Sequence, residues 1–219
     1  MSGRDEAGHE QRFEGWFSHM PVVAILRGLQ PGEALAVGEA LVENGIHILE
    51  VPLNSPDPLR SIRILAEGLG ERAVVGAGTV LDEAAVDAVA EAGGTVIVSP
   101  NTDPAVIRHT RQRGLVSLPG SFTPTEAFAS LKAGAHAIKL FPGELVTPAS
   151  ARAIAAVLPK GTRLLVVGGV AADTVKDWRG VPVHGFGLGS SLFKPGVSPE
   201  EIGRRARAVA QAVRDRMAG

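Results

Sequence analysis

The sequence predicts an α/β protein built as a single (β/α)8 TIM barrel with an extra N-terminal helix, and three observations carry that prediction. Short runs rich in Val, Ile and Leu alternate with alanine-rich segments of helical period, which is the pattern of βαβ units on a parallel sheet buried on both faces. The runs number eight, enough to close a barrel. No Gly-x-Gly-x-x-Gly follows the first run, so the phosphate fingerprint of the competing doubly wound dinucleotide fold is missing where it would stand. A length of 219 residues with 45% hydrophobic content suits one core, and 1–219 is read as one domain.

The elements follow in order. Residues 1–9 are polar and are expected to form a flexible lead-in. Glu10 to His19 places Phe13, Trp16 and Phe17 at helical spacing, the mark of a short helix packed on one end of the core. The expected strands are Val22–Arg27, Ile48–Pro52, Val74–Thr79, Val96–Ser99, Val116–Pro119, Ala137–Phe141, Leu164–Gly168 and His184–Gly187. Between them, Pro31-Gly32-Glu33 opens a helix that Asn44-Gly45 closes, and Leu81-Asp82-Glu83 opens one that Gly93-Gly94 ends. Thr123-Pro124-Thr125-Glu126 is a capping box with proline at the first helical position, leading a helix that ends near Ala133-Gly134. A last helix from Pro199 to about Met217 completes the series.

Composition narrows the function. A formal net charge of −1, with no basic stripe, leaves no electrostatic footprint for nucleic acid or an anionic membrane and favours a small soluble partner. The absence of cysteine excludes a disulfide framework, a thiolate nucleophile and any cysteine-based metal site. Met1 to Arg12 has no apolar signal core, no run approaches the roughly 18 apolar residues of a membrane span, and the chain is read as cytoplasmic. The histidines (His9, His19, His47, His109, His136, His184) show no paired ligand spacing, so no metal is expected, and His136 and His184 fall at strand starts, on the face away from the chemistry.

In a barrel, the C-terminal strand ends face the pocket, so a polar residue inside an apolar run is informative. Four runs carry one: Arg27, Glu50, Thr79 and Lys139. A lysine on a buried strand loses hydration of its ammonium form, which frees a neutral amine able to attack a ketone. Lys139 could instead snorkel to the rim or pair with a carboxylate. Glu50 could be a counter-ion for Arg27 or Lys139, or a proton carrier held beside the amine. Arg27 suits forked recognition of a carboxylate, against the plainer role of a rim salt bridge. Two glycine-rich strand ends, Val167-Gly168-Gly169-Val170 and Gly185-Phe186-Gly187-Leu188-Gly189-Ser190-Ser191, fall where such barrels bind phosphate, through backbone N–H groups and a following short helix.

These residues together resemble the 2-keto-3-deoxy-6-phosphogluconate/2-keto-3-deoxy-6-phosphogalactonate aldolase family. The carriers are Ala24-Ile25-Leu26-Arg27-Gly28, Leu49-Glu50-Val51-Pro52-Leu53-Asn54-Ser55-Pro56, Gly76-Ala77-Gly78-Thr79-Val80-Leu81, Ser99-Pro100-Asn101, Ile138-Lys139-Leu140-Phe141-Pro142 and Val167-Gly168-Gly169-Val170, within about Pro21 to Lys194. The resemblance implies a Schiff base on Lys139, acid/base work by Glu50, and carboxylate or keto-acid contacts from Arg27 and Thr79. It also implies phosphate contacts from Gly168, Gly169, Gly187, Gly189 and Ser190, no cofactor, pyruvate as one product, and a homotrimer.

Two positions bear on the epimer. Asn54 stands where the gluconate branch has arginine, within a Glu-Val-Thr-Leu-Arg-Thr segment, and Val167 where it has threonine; both are similar to the galactonate branch and make Asn54 and Val167 substrate-facing candidates. Phe141-Pro142-Gly143-Glu144 departs the other way, retaining the glutamate of the gluconate branch, so gluconate or dual-epimer activity is the nearest alternative. Two further readings use the same barrel: an epimerase or isomerase working with paired acid/base groups or a metal, and a non-catalytic phosphosugar-binding sensor.

Overall fold

The structure, a computed structural model, describes residues 3–218. Nine strands form one sheet: β1 (Val22–Ile25), β2 (Ile48–Pro52), β3 (Val74–Gly78), β4 (Val96–Val98), β5 (Val116–Leu118), β6 (Gly120–Ser121), β7 (Ile138–Leu140), β8 (Leu164–Val167) and β9 (Gly185–Leu188). They pair in parallel in the order β5-β4-β3-β2-β1-β9-β8-β7-β6. The expected fifth strand is cut in two at Pro119. Proline has no N–H to donate to a ladder, and the halves on either side of it face different neighbours: β5 pairs with β4 and β6 with β7. The Pro119 carbonyl still accepts from the Lys139 N–H at 2.9 Å, which carries the ring across the break. The architecture is therefore the TIM-like barrel that the sequence predicts.

The helices are α1 (Gly3–His19), α2 (Ala34–Val42), α3 (Pro58–Leu69), α4 (Glu83–Glu91), α5 (Pro104–Gln112), α6 (Pro124–Ala133), α7 (Pro148–Val157) and α8 (Pro199–Met217). α1 begins at Gly3 rather than Glu10, because residues 3–9 carry no apolar periodicity from which their helicity could be read; the start of the expected flexible lead-in, Met1 and Ser2, lies outside the described residues. The box at Thr123 forms with both of its reciprocal bonds to Glu126, and Thr147 and Ser150 make a second one ahead of α7. The connection after β8 has only a 3-10 turn, Val175–Trp178, since Gly180 at φ 66° followed by Pro182 ends the segment before a longer helix can form. No helix among the described residues is long and apolar enough to cross a membrane.

The strand period of two sorts the core into two layers. Outward residues such as Val22, Ala24, Leu49, Val51, Val75 and Leu164 pack against the surrounding helices. Inward residues Val23, Ile48, Val74, Val96, Val116, Ala137 and Leu165 fill the barrel, and Phe13 and Phe17 of α1 join them, stacked at 5.3 Å. Both rings are buried, each contributing about 1.5–3 kcal/mol, so α1 is a fixed plug in the N-terminal end of the barrel. Polar contacts around its rim hold it: Glu10 with Arg111 at 3.4 Å, Arg12 with Glu71, Glu14 with Arg163, and Trp16 stacked on His47 at 3.7 Å. His136 and His184 belong to this same end, each accepting at Nδ1 a backbone N–H, from Ser117 and Leu164 respectively.

Candidate active site

Glu50 stands two residues after inward Ile48, and Lys139 two after inward Ala137, so strand alternation alone turns both charged side chains into the barrel. The apolar filling below leaves them at its upper edge, where they are 2% and 7% exposed. Burial pushes the Glu50 carboxyl up to about 7, against the opposing pull of Lys139 and Arg27. Burial likewise lowers the Lys139 ammonium, helped by Arg27 and opposed by Glu50. Lys139 has no carboxylate oxygen within 4 Å among the described residues; its Nζ lies 4.6 Å from the Phe141 ring centroid. The Glu50 Oε2 is buried with no hydrogen-bond partner. Glu50 therefore faces Lys139 and Arg27 through its charge without a bonded ion pair at that oxygen. What remains is an amine easily made neutral beside a carboxyl poised to gain or lose a proton near neutrality.

β3 makes room for the carboxyl. A Cβ on Gly78 would fall 2.1 Å from Glu50 Oε2, well inside contact distance. Gly78→Ala is expected to displace the carboxylate and lower turnover by about 100-fold, the scale set by a misplacement of roughly 1 Å in a reacting group, with the fold retained. Steady-state kcat together with a circular dichroism melt would check this. Next in the chain, Thr79 is held at φ 58°, an uncommon region for a β-branched residue, and lines the cavity.

Above the pair opens a cavity of about 640 Å³. Arg27, Glu50, Thr79, Lys139 and Val167 all line it, as do the expected phosphate residues Gly168, Gly169, Gly187, Gly189 and Ser190. Arg27 and Thr79 lie just past β1 and β3, whose strands end at Ile25 and Gly78. Asn54 is the exception. It does not line the cavity; its Oδ1 accepts from the Arg27 guanidinium at 2.8 Å, while Ser55 Oγ accepts from the Gly28 N–H at 3.0 Å. Asn54, expected to face the substrate, instead touches Arg27 in this structure. Asn54→Ala should raise KM about threefold to tenfold with kcat little changed, the loss of roughly 1 kcal/mol of orientation, read from initial-rate kinetics.

The phosphate end differs in one detail from the expected short helix. No helix starts directly after β9; the chain turns at Gly189, whose carbonyl accepts from the N–H groups of both Leu192 and Phe193 at 2.9 Å, and α8 starts only at Pro199. Any backbone donors come from this turn and from the Gly168–Gly169 pair, both at positive φ, rather than from a helix end.

Comparison with known proteins decides the family. The model of the KDPG and KHG aldolases matches residues 14–213. The chain belongs to this family. A curated KDPG and KHG aldolase relative from Rhizobium meliloti, named "Probable 2-dehydro-3-deoxy-6-phosphogalactonate aldolase", is 47% identical over 192 residues, covering 88% of this chain and 91% of its own. The 2-dehydro-3-deoxy-6-phosphogalactonate aldolase of Escherichia coli is 41% identical over 200 residues, covering 91% and 98%. Among solved structures, one described as native KDPGal superposes with a TM-score of 0.89 at 40% identity over 91% of this chain and 97% of that one.

Two cavity residues of this KDPG and KHG aldolase family member escaped the sequence reading as site residues. Glu144 figures there only as a departure between branches and Lys194 only as the limit of the resemblance; they line the cavity from a 3-10 turn (Gly143–Leu145) and a loop, where no strand periodicity marks a side chain as inward.

Proposed function

We propose that the chain is a class I aldolase that cleaves 2-dehydro-3-deoxy-6-phosphogalactonate to pyruvate and D-glyceraldehyde 3-phosphate through an imine on Lys139. The observation that carries this reading is the buried couple of Lys139 and Glu50, not bonded to each other, at the base of the cavity. The Lys139 amine adds to the C2 ketone, Glu50 in its acid form gives a proton to the carbinolamine hydroxyl, and loss of water leaves a protonated imine and the Glu50 carboxylate. Glu50 takes the C4 hydroxyl proton as the C3–C4 bond breaks, and the electron pair moves into the imine to form an enamine. Glyceraldehyde 3-phosphate leaves. Glu50, now protonated, returns its proton to C3; water then adds to the protonated imine and gives its proton back to Glu50 as pyruvate leaves and the amine is regenerated.

Arg27, held by Asn54, is assigned the substrate carboxylate, with Thr79 beside it. The galactonate epimer is favoured by the names of the similar relatives and by Val167, whose methyl groups offer no hydrogen bond to the C4 hydroxyl where threonine would. The resemblance also supports a homotrimer, and the phosphorylated substrate and cysteine-free chain support a cytoplasmic site of action. The test is incubation with pyruvate and borohydride followed by mass analysis of the peptides. A reduced pyruvate adduct on Lys139 is expected; folded protein without it would refute the imine mechanism.

A further inference from the structure

We propose, on the basis of the aldolase reading above, that Lys194 is the cation that recognises the substrate phosphate, and that Glu144 makes that cation necessary. The phosphate end of the cavity has neutral donors in place. The backbone N–H groups of Gly169, Val170, Ser190 and Ser191 have no acceptor among the described residues, and these positions border the cavity. Neutral donors would suffice for an anion standing alone. Here Glu144 stands at the same wall: a Cβ on Gly168 would meet its Oε2 at 2.3 Å, and one on Gly169 its Cγ at 3.0 Å. A phosphate ester carries nearly two negative charges at neutral pH, so beside this carboxylate it needs a positive charge.

The cations of the cavity are Lys139, Arg27 and Lys194. Lys139 is committed to the ketone, and Arg27 is tied to Asn54. Lys194 alone has neither task. It is exposed, with no carboxylate within 4 Å among the described residues, so its charge is available. Its loop is also held in place. Leu192 and Phe193 are buried, Ser191 Oγ donates to the Val170 carbonyl at 2.8 Å, and Pro195 packs where Gly28 lacks a side chain, its Cγ 2.8 Å from the site a Cβ would take. A solvated lysine at the rim is the plainer alternative, and it predicts no preference for phosphate.

The experiment runs the reaction toward condensation with saturating pyruvate and compares kcat/KM for glyceraldehyde 3-phosphate and for glyceraldehyde in the wild type and Lys194→Met. The expected result is a fall of about tenfold or more in the phosphorylated-to-unphosphorylated ratio, the scale of one charge-assisted contact. Lys194→Arg should restore most of that ratio, and the Lys194→Met effect should shrink in a Glu144→Gln background, since the two charges are coupled. An unchanged ratio, or equal losses on both aldehydes, would overturn the role of Lys194. Borohydride trapping of pyruvate on the same samples separates the two failures: a normal adduct with an unchanged ratio removes only Lys194, whereas no adduct in the wild type removes the aldolase reading itself.

Discussion

Lys139→Met is expected to lower kcat for cleavage by at least about 10⁴-fold, because in the proposed mechanism its imine is the electron sink for the breaking bond and no other amine shares the base of the cavity among the described residues. Methionine keeps the length and bulk of the side chain, so loss of activity would not come from collapse of the barrel. Stability should move the other way. The folded state holds Lys139 with its ammonium disfavoured by burial and without a bonded carboxylate. Removing that charge should raise the thermal midpoint by a few degrees, the shift produced by roughly 1 kcal/mol in a chain of this size. A calorimetric scan beside single-turnover kinetics would check both. A variant that is inactive and also unfolds earlier would mean that Lys139 carries structural weight instead.

Glu50→Gln carries the second large effect, a fall of about 10²–10⁴-fold in kcat, the usual worth of a placed proton carrier. Its pH behaviour is the sharper signature. With the Glu50 carboxyl pushed up to about 7, wild-type cleavage should gain rate as pH rises through that value, and the glutamine variant should lack this limb. The same shift sets the sign for stability. A carboxyl raised in the folded state binds its proton more tightly there than in the unfolded chain. Its favourable contribution is therefore complete below about 4.5 and is lost as pH rises through about 7. Wild type should thus lose stability relative to Glu50→Gln across that window and level off above it, measurable by urea melts at a series of pH values. A constant difference across the window would mean that the carboxyl titrates normally and is not held dry.

Most of the barrel was legible because burial on both faces forces long apolar runs, and each run lies within a residue or two of its strand. Lys139 and Glu50 were legible for the same reason: a charge in such a run contradicts its surroundings and so attracts notice. Pro119 was not read as a break, since nothing in Val116–Pro119 shows which neighbours its two halves will choose. The missing helix after β8 was hidden because Val175–Trp178 has helical spacing too short to show its length. The partner of Asn54 was not legible because a sequence reports residue type at a loop but not direction; the 2.8 Å bond to Arg27 shows which way it turns. Glu144, in a 3-10 turn, and Lys194, in a loop, are charged residues like many others until the fold sets them around one opening.

The stacked rings of Phe13 and Phe17 have a kinetic consequence. They fill one end of the barrel, and Lys139 lies at the base of the cavity that opens at the other. Whatever is attached to Lys139 is then last in line to leave and must be first to arrive. With the proposed imine in place, traffic becomes a queue: the aldehyde fragment should clear the opening before pyruvate can follow, and in the condensing direction an aldehyde that enters ahead of pyruvate should only block the way.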